Sequence, residues 1–332
     1  MKPLKFKGVN EDASNTPRYF AGIDLGGTNI AAAIVDEYGV IYGRSKRKTN
    51  APRPYNEIFD DMAQCARDAA QESGIEFEEI EAVGIGCPGS IDQETGTIEF
   101  SNNLDFYNAP IVSYMQEALG KKIYVENDAN AAAWGEFIAG SGKNYDNMVM
   151  ITLGTGVGSG IIIDNKLMCG SFGKGAEIGH MTIVLNGEKC TCGRRGCFES
   201  YASATALVKM TKEAMKKNPE SDMWKLCNGK LSNANGTTAF KSKDAAAKKV
   251  VKDYLGYLAE GIINVINIFE PKIVCIGGGI SHEGRKILVP VEKKIKKYAY
   301  NRFGKQQTIV ELASLGNDAG IIGAALLWKN EK

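Results

Sequence analysis

Two stretches of this chain echo one another. Leu25-Gly26-Gly27-Thr28 and Leu153-Gly154-Thr155-Gly156 lie 128 positions apart, and at the same offset Ile34-Val35-Asp36 returns as Ile162-Ile163-Asp164. Each copy reads as an apolar β-capable run, a glycine turn and a second such run. A strand–turn–strand unit that recurs at this spacing points to a duplicated α/β domain whose equivalent loops face a shared cleft. Chance similarity between Gly-rich hairpins is the bland alternative. The length, 332 residues, is ample for two hydrophobic cores.

The remaining pattern is consistent with alternating strands and helices. From Tyr19 three antiparallel strands follow one another across Gly-Gly and Tyr-Gly turns, and Tyr55 to Ser73 has helical apolar spacing. A buried strand is expected over 81–86, a helix over 110–119, a short strand over 122–125 and a helix over 130–139. Met148 to Leu153 and Gly158 to Asp164 form the second hairpin, and 166–197 is loop-rich. Helices are expected over 199–217, 244–269 and 321–328, with a strand over 272–276.

Composition narrows the partners. Lys and Arg total 40 against 39 Asp and Glu, a net charge of +1, which offers no electrostatic footprint for nucleic acid or an anionic membrane. The first 17 residues are polar, a frayed arm without the apolar core that a secretory signal needs. The longest apolar region, Met148 to Ile163, is interrupted by glycines and hydroxyl side chains and cannot cross a bilayer. A cytoplasmic, reducing location is expected, where clustered Cys and His bind metal more readily than they form disulfides.

The 38 glycines concentrate in short loops. In Asp24-Leu25-Gly26-Gly27-Thr28-Asn29 an acid sits at a strand end, and two glycines let backbone N–H groups approach an anion. Asp24 is placed to reach a hydrated Mg²⁺ riding on phosphates. Leu153-Gly154-Thr155-Gly156 is a second such loop; a strand follows it rather than a helix, so a dinucleotide fingerprint fails in context. The run Val274 to Ser281 is a strand entering three glycines, Gly277 to Gly279, of the kind that passes beneath a nucleotide base. Between the loops, Glu126-Asn127-Asp128 joins a strand to an Ala-rich helix. Asp128 is either an N-cap or a carboxylate that accepts the proton of an attacking hydroxyl, as phosphoryl transfer requires.

Three of the eight cysteines, Cys190, Cys192 and Cys197, follow His180 closely; Cys65, Cys87, Cys169, Cys227 and Cys275 are scattered. One imidazole and three thiolates complete a tetrahedral Zn²⁺ set with no open position, which makes the metal structural. Glu177 and Glu199 flank this knot and suit the paired hydroxyls of a sugar.

DLGGTN, ENDANAAAWGE, LGTGVGSG, the EIGH-x9-CxCGxxGCxE run and IGGGIS, in this order, resemble the ROK family of sugar kinases and related repressors. The resemblance implies a two-domain α/β fold of the sugar kinase–actin superfamily (ribonuclease H-like), with a structural zinc loop, closing on ATP with Mg²⁺ and a sugar. The implied division is an arm over 1–18, a small domain over 19–140 and a large domain over 141–315, with 316–332 a helix returning to the small domain. Carried over by position, Asp128 is the catalytic base. Asn103, Asn127, Asp128, Glu177, His180 and Glu199 hold the sugar. Asp24, Gly26, Gly27, Thr28, Asn29, Gly154, Thr155, Gly277, Gly278 and Gly279 hold ATP. His180, Cys190, Cys192 and Cys197 hold zinc, and a homodimer is expected.

Family repressors carry a DNA-binding extension ahead of the first glycine loop, whereas 23 residues precede Asp24 here, polar and unpatterned. The CxCGxxGCxExxAS form, with EIGH and CPGSID, resembles the glucokinases of the family. The expected activity is therefore ATP-dependent phosphorylation of glucose at its 6-hydroxyl. N-acetylmannosamine and N-acetylglucosamine kinases share the acids and the zinc spacing, some relatives use polyphosphate, and a non-catalytic sugar-responsive regulator is the competing class. Residues 226–240 resemble a variable loop without an assigned role.

Overall fold

The computed structural model describes residues 17–331; nearly all of the arm expected over 1–18 lies outside that range. The chain begins with strands β1 (Tyr19–Leu25), β2 (Asn29–Asp36) and β3 (Ile41–Lys48), then helix α1 (Tyr55–Ser73) and strand β4 (Ile80–Cys87). A three-stranded meander follows: β5 (Ser90–Asp92), β6 (Thr97–Ser101) and β7 (Phe106–Ala109). Helix α2 (Ile111–Leu119), strand β8 (Lys122–Asn127) and helix α3 (Asp128–Ile138) complete the first half.

The second half opens with β9 (Met148–Leu153), β10 (Val157–Ile163) and a two-residue β11 (Lys166–Leu167). A long loop leads to α4 (Glu199–Ala202) and α5 (Ala204–Lys217), then short helices α6 (Met223–Leu226) and α7 (Thr238–Lys241). The 25-residue α8 (Ala245–Phe269), β12 (Ile273–Gly277), α9 (Arg285–Tyr298), β13 (Ile309–Leu312) and α10 (Ala319–Ala325) follow.

The echo in the sequence is a topological one. The two five-stranded sheets run β3-β2-β1-β4-β8 and β11-β10-β9-β12-β13. In each, the first three strands are antiparallel and the last two join them in parallel. The hairpins differ by one residue: Leu25 pairs with Ile30, but Leu153 pairs with Val157. Gly26 N–H reaches Asn29 O across the first turn, whereas Gly154 N–H reaches Gly156 O across the second. Ile34-Val35-Asp36 is therefore equivalent in space to 161–163, one position away from the match in sequence.

Three apolar clusters hold these layers. One lies between the first sheet and α1 and α2, and one between the second sheet and α5, α8 and α9. The third, with Phe20, Trp134, Met148, Met150, Ile321 and Leu326, lies between the sheets around α3 and α10. Close approach there depends on missing side chains. A Cβ at Gly84 would run into the Ala324 carbonyl, one at Gly323 into that of Ala131, and one at Gly135 into that of Ala319. Alanine and glycine on both helices thus let α3 and α10 pack backbone to backbone, the arrangement small residues permit.

Several elements depart from the sequence expectations. The helix expected over 199–217 breaks at Ser203, which turns extended (φ −72°, ψ 163°) and caps α5 by accepting from the Ala206 N–H. The meander, α9 and β13 carried no clear signal. Residues 226–240 are compact: Cys227, Ala234, Ala239 and Phe240 are in the core of the second half.

Candidate active site

The parallel strands of both sheets end at the same cleft. Asp24 lies near the end of β1, Pro88-Gly89 follows β4, and Asn127-Asp128 is the junction of β8 and α3; Gly154–Gly156, Gly278 and Gly316-Asn317 follow β9, β12 and β13. Carboxyl ends of parallel strands are where α/β folds place ligands. Here they surround a cavity of about 660 Å³ that is lined by Asp24, Asn103, Asn127, Asp128, Gly154, Thr155, Glu177, His180, Glu199 and Gly278, among others. A second cavity of similar size, about 660 Å³, is lined by Gly26, Gly27, Thr28 and Asn29 together with Arg44 and Lys46. Asp24 and Asn317 line both. Gly277 and Gly279 line neither, although Gly278 between them lines the first.

Asn127, not Asp128, caps α3: its side-chain oxygen accepts from the Ala129 and Asn130 N–H groups. That leaves Asp128, the first helical residue, with its carboxylate in the cavity and a single helix bond, from the Ala129 N–H at 2.9 Å. Burial raises the Asp128 pKa above the usual carboxylate range, opposed by backbone hydrogen bonds. Asp24 is pushed up to about 6, first by burial and then by the charge of Asp128. Glu177 is raised by burial, with His180 pulling the other way. Three carboxylates thus line one cleft.

Glu199 is held by the second glycine loop. Its Oε2 accepts from the Val157 N–H at 3.1 Å, and a Cβ at Gly156 would collide with it. The loop before Glu199 is folded by left-handed glycines at 193 (φ 89°) and 196 (φ 80°). Cys190 N–H donates to Arg194 O at 2.9 Å, and Phe198, fully buried, anchors the start of α4.

The turn gathers His180, Cys190, Cys192 and Cys197 with their donor atoms within 4.8 Å of one another. Cys192 Sγ and Cys197 Sγ are 3.7 Å apart, and Cys190 Sγ is 3.6 Å from His180 Nδ1. A disulfide requires about 2.05 Å. Sulfurs about 2.3 Å from a tetrahedral ion stand about 3.8 Å from one another, so the set fits zinc.

The Gly316-Asn317 loop and Pro88-Gly89 were missed as cavity residues. The first follows a four-residue strand, too short to signal a strand-to-glycine junction. For the second, the CPGSID loop was visible, but nothing in it marked a binding role. Among the described residues no helix is long and apolar enough to cross a membrane.

Two echoed sheets and an acid-lined cleft at their strand ends define a two-domain α/β protein of the sugar-kinase fold class. The chain belongs to the ROK family, whose model matches residues 20–331. It is 38% identical over 309 residues to the glucokinase of Streptomyces coelicolor, covering 92% of this chain and 95% of that one. It is 37% identical over 312 residues to the glucokinase of Thermotoga maritima, covering 93% and 96%. A crystal structure of a ROK family glucokinase from Streptomyces griseus, in complex with glucose and AMPPNP, superposes with a TM-score of 0.80 at 36% identity, covering 93% and 98%.

Proposed function

We propose that this protein is an ATP-dependent glucokinase that phosphorylates the 6-hydroxyl of glucose, with Asp128 as the base. The observation that carries the reading is the meeting of Asp128 with the Gly154-Thr155 loop, Glu177, His180 and Glu199 in one cavity. The glucokinase relatives and the glucose–AMPPNP complex of a similar chain support the substrate pair. Asn103, Asn127, Glu177, His180 and Glu199 orient the hydroxyls, since carboxylates and amides accept and donate paired bonds. Asp128 takes the proton of the 6-hydroxyl as that oxygen bonds to the γ-phosphorus and the bond to the β–γ bridging oxygen breaks, releasing ADP. Burial raises the proton affinity of Asp128, which favours this role. Backbone N–H groups of residues 27, 28 and 155, which the turn bonds of Gly26 and Gly154 leave available, bind phosphate oxygens with the Thr hydroxyls, and Gly278 borders the nucleotide.

Mg²⁺ fits beside Asp24, a hard oxygen donor desolvated next to a second carboxylate; when bound with ATP it supplies charge neutralisation of the phosphates. Zn²⁺ would be held by His180, Cys190, Cys192 and Cys197, a closed set whose role is rigidity. Closing of the halves, 19–140 and 141–315, about the α3–α10 pair excludes water and limits ATP hydrolysis.

Asp128→Asn tests the base. It should lower kcat by about 100- to 10,000-fold while glucose Kd, measured calorimetrically, stays within about tenfold; substantial remaining turnover overturns the assignment. A panel with glucose, N-acetylmannosamine and N-acetylglucosamine, and with ATP or polyphosphate as donor, tests the substrate pair. ATP-dependent turnover of glucose in preference to the others is the expected result.

A further inference from the structure

Behind Asp128 lies a second carboxylate that takes no part in the chemistry described so far. Glu126, at the end of β8, is 5% exposed. Its Oε1 accepts from the Asn127 N–H at 2.8 Å and from Asn130 Nδ2 at 3.0 Å. Its Oε2 lies 3.3 Å from Gln93 Nε2 and 3.4 Å from Cys169 Sγ. Burial and the charge of Glu126 push the Cys169 thiol up to about 12, so it keeps its proton and donates.

These four neutral donors come from three parts of the chain. Asn127 and Asn130 bracket Asp128, and Asn127 is the cap that sets the first turn of α3. Cys169 begins the segment that ends at Glu177; its carbonyl accepts from the Gly175 N–H at 2.8 Å, and the Ala176 carbonyl accepts from Ser159 Oγ. Gln93 lies in the β5–β6 turn, against which the same segment rests at Gly173, and Lys174 of that segment pairs with Glu99 of β6 at 2.5 Å. A buried carboxylate is costly wherever a donor is lost, and removing the carboxylate alone would leave its four donors without this acceptor. What the carboxylate adds is one acceptor shared by both sides.

We infer that Glu126 is a positioning residue that couples the 169–177 segment, which carries Glu177, to the orientation of Asp128. One oxygen holds the helix cap and the other holds the segment, and Asn130 Nδ2 also lies 3.8 Å from Cys169 Sγ, so displacement of the segment is transmitted to the first turn of α3 at this carboxylate. The inference rests on the reading of Asp128 as the base.

The test is a double-mutant cycle in steady-state glucose phosphorylation. Glu126→Gln, whose amide cannot accept from both sides, should lower kcat at least tenfold while KM for ATP stays within twofold. Cys169→Ala should lower kcat at least threefold and add nothing in the Glu126→Gln background. Single variants that keep kcat within twofold of the parent overturn the inference, as do effects that multiply in the double variant. Should Glu126→Gln not fold, Cys169→Ala and Gln93→Leu carry the test: kcat lowered at least threefold supports coupling, and unchanged kcat overturns it. A fully active Asp128→Asn protein overturns the base reading and this inference with it. An inactive Asp128→Asn protein beside an unaffected Glu126→Gln overturns this inference alone.

Discussion

Asp24 ends a strand, faces the cleft and has Asp128 for a neighbour, and its pKa of about 6 reports that environment. Its folded pKa is raised above the ordinary aspartate value of 3.8. The proton it binds therefore stabilises the fold fully below about pH 4, and that stabilisation is lost as pH rises through about 6. A shift of this size corresponds to about 3 kcal/mol. Asp24→Asn should therefore raise the thermal midpoint of the ligand-free protein at pH 8 while changing it little at pH 4, as followed by circular dichroism. An equal change at both pH values would show that Asp24 is not destabilised by its charge. The strand-end acid was legible because Asp before Gly-Gly is a recognisable pattern. Which of two adjacent polar residues caps α3 was not: Asn127 and Asp128 are both good N-caps, and the choice follows from where β8 stops, at Asn127.

At the scale of elements, spacing was informative wherever a local constraint dominates. The His180 and Cys190–Cys197 pattern places four ligand atoms together because left-handed glycines fold the turn and Phe198 anchors its end. Cys192→Ser should lose zinc by elemental analysis and weaken glucose binding by at least tenfold, because Glu199 follows the turn directly; a metal-free protein with full glucose affinity would remove the ordering role from the metal. Elements without a strong local signal were not legible. In α9 Pro290 argues against a helix, yet Ile287, Val291 and Ile295 at a spacing of four bury one stripe, and packing overrides propensity. The meander strands, of three to five residues, are too short for alternation to register. The break at Ser203 is likewise tertiary: Ala204 N–H donates to Gly154 O and Thr205 Oγ1 to Thr155 O, tying the start of α5 to the second glycine loop.

Across the whole molecule, the two sheets meet through α3 and α10, and the fit depends on glycines whose role no local pattern announces. Gly323→Val would drive a side chain into the Ala131 carbonyl. It should destabilise the fold by about 1–3 kcal/mol or more by denaturant unfolding, whereas Gly279→Ala, with open space around its Cβ position, should leave stability unchanged. If Gly323→Val unfolds like the parent, the backbone-to-backbone packing of α3 on α10 is not needed for stability. By itself the sequence determined the duplication, the glycine loops and the cluster of His180 with Cys190, Cys192 and Cys197, because each is a local matter of strand period, backbone freedom or residue spacing. Only the tertiary structure decided that the repeats are one residue out of register, that Gly316-Asn317 joins the cleft and that Glu126 stands between Asp128 and the 169–177 segment. Those facts depend on contacts between residues far apart in the chain, which no local pattern encodes.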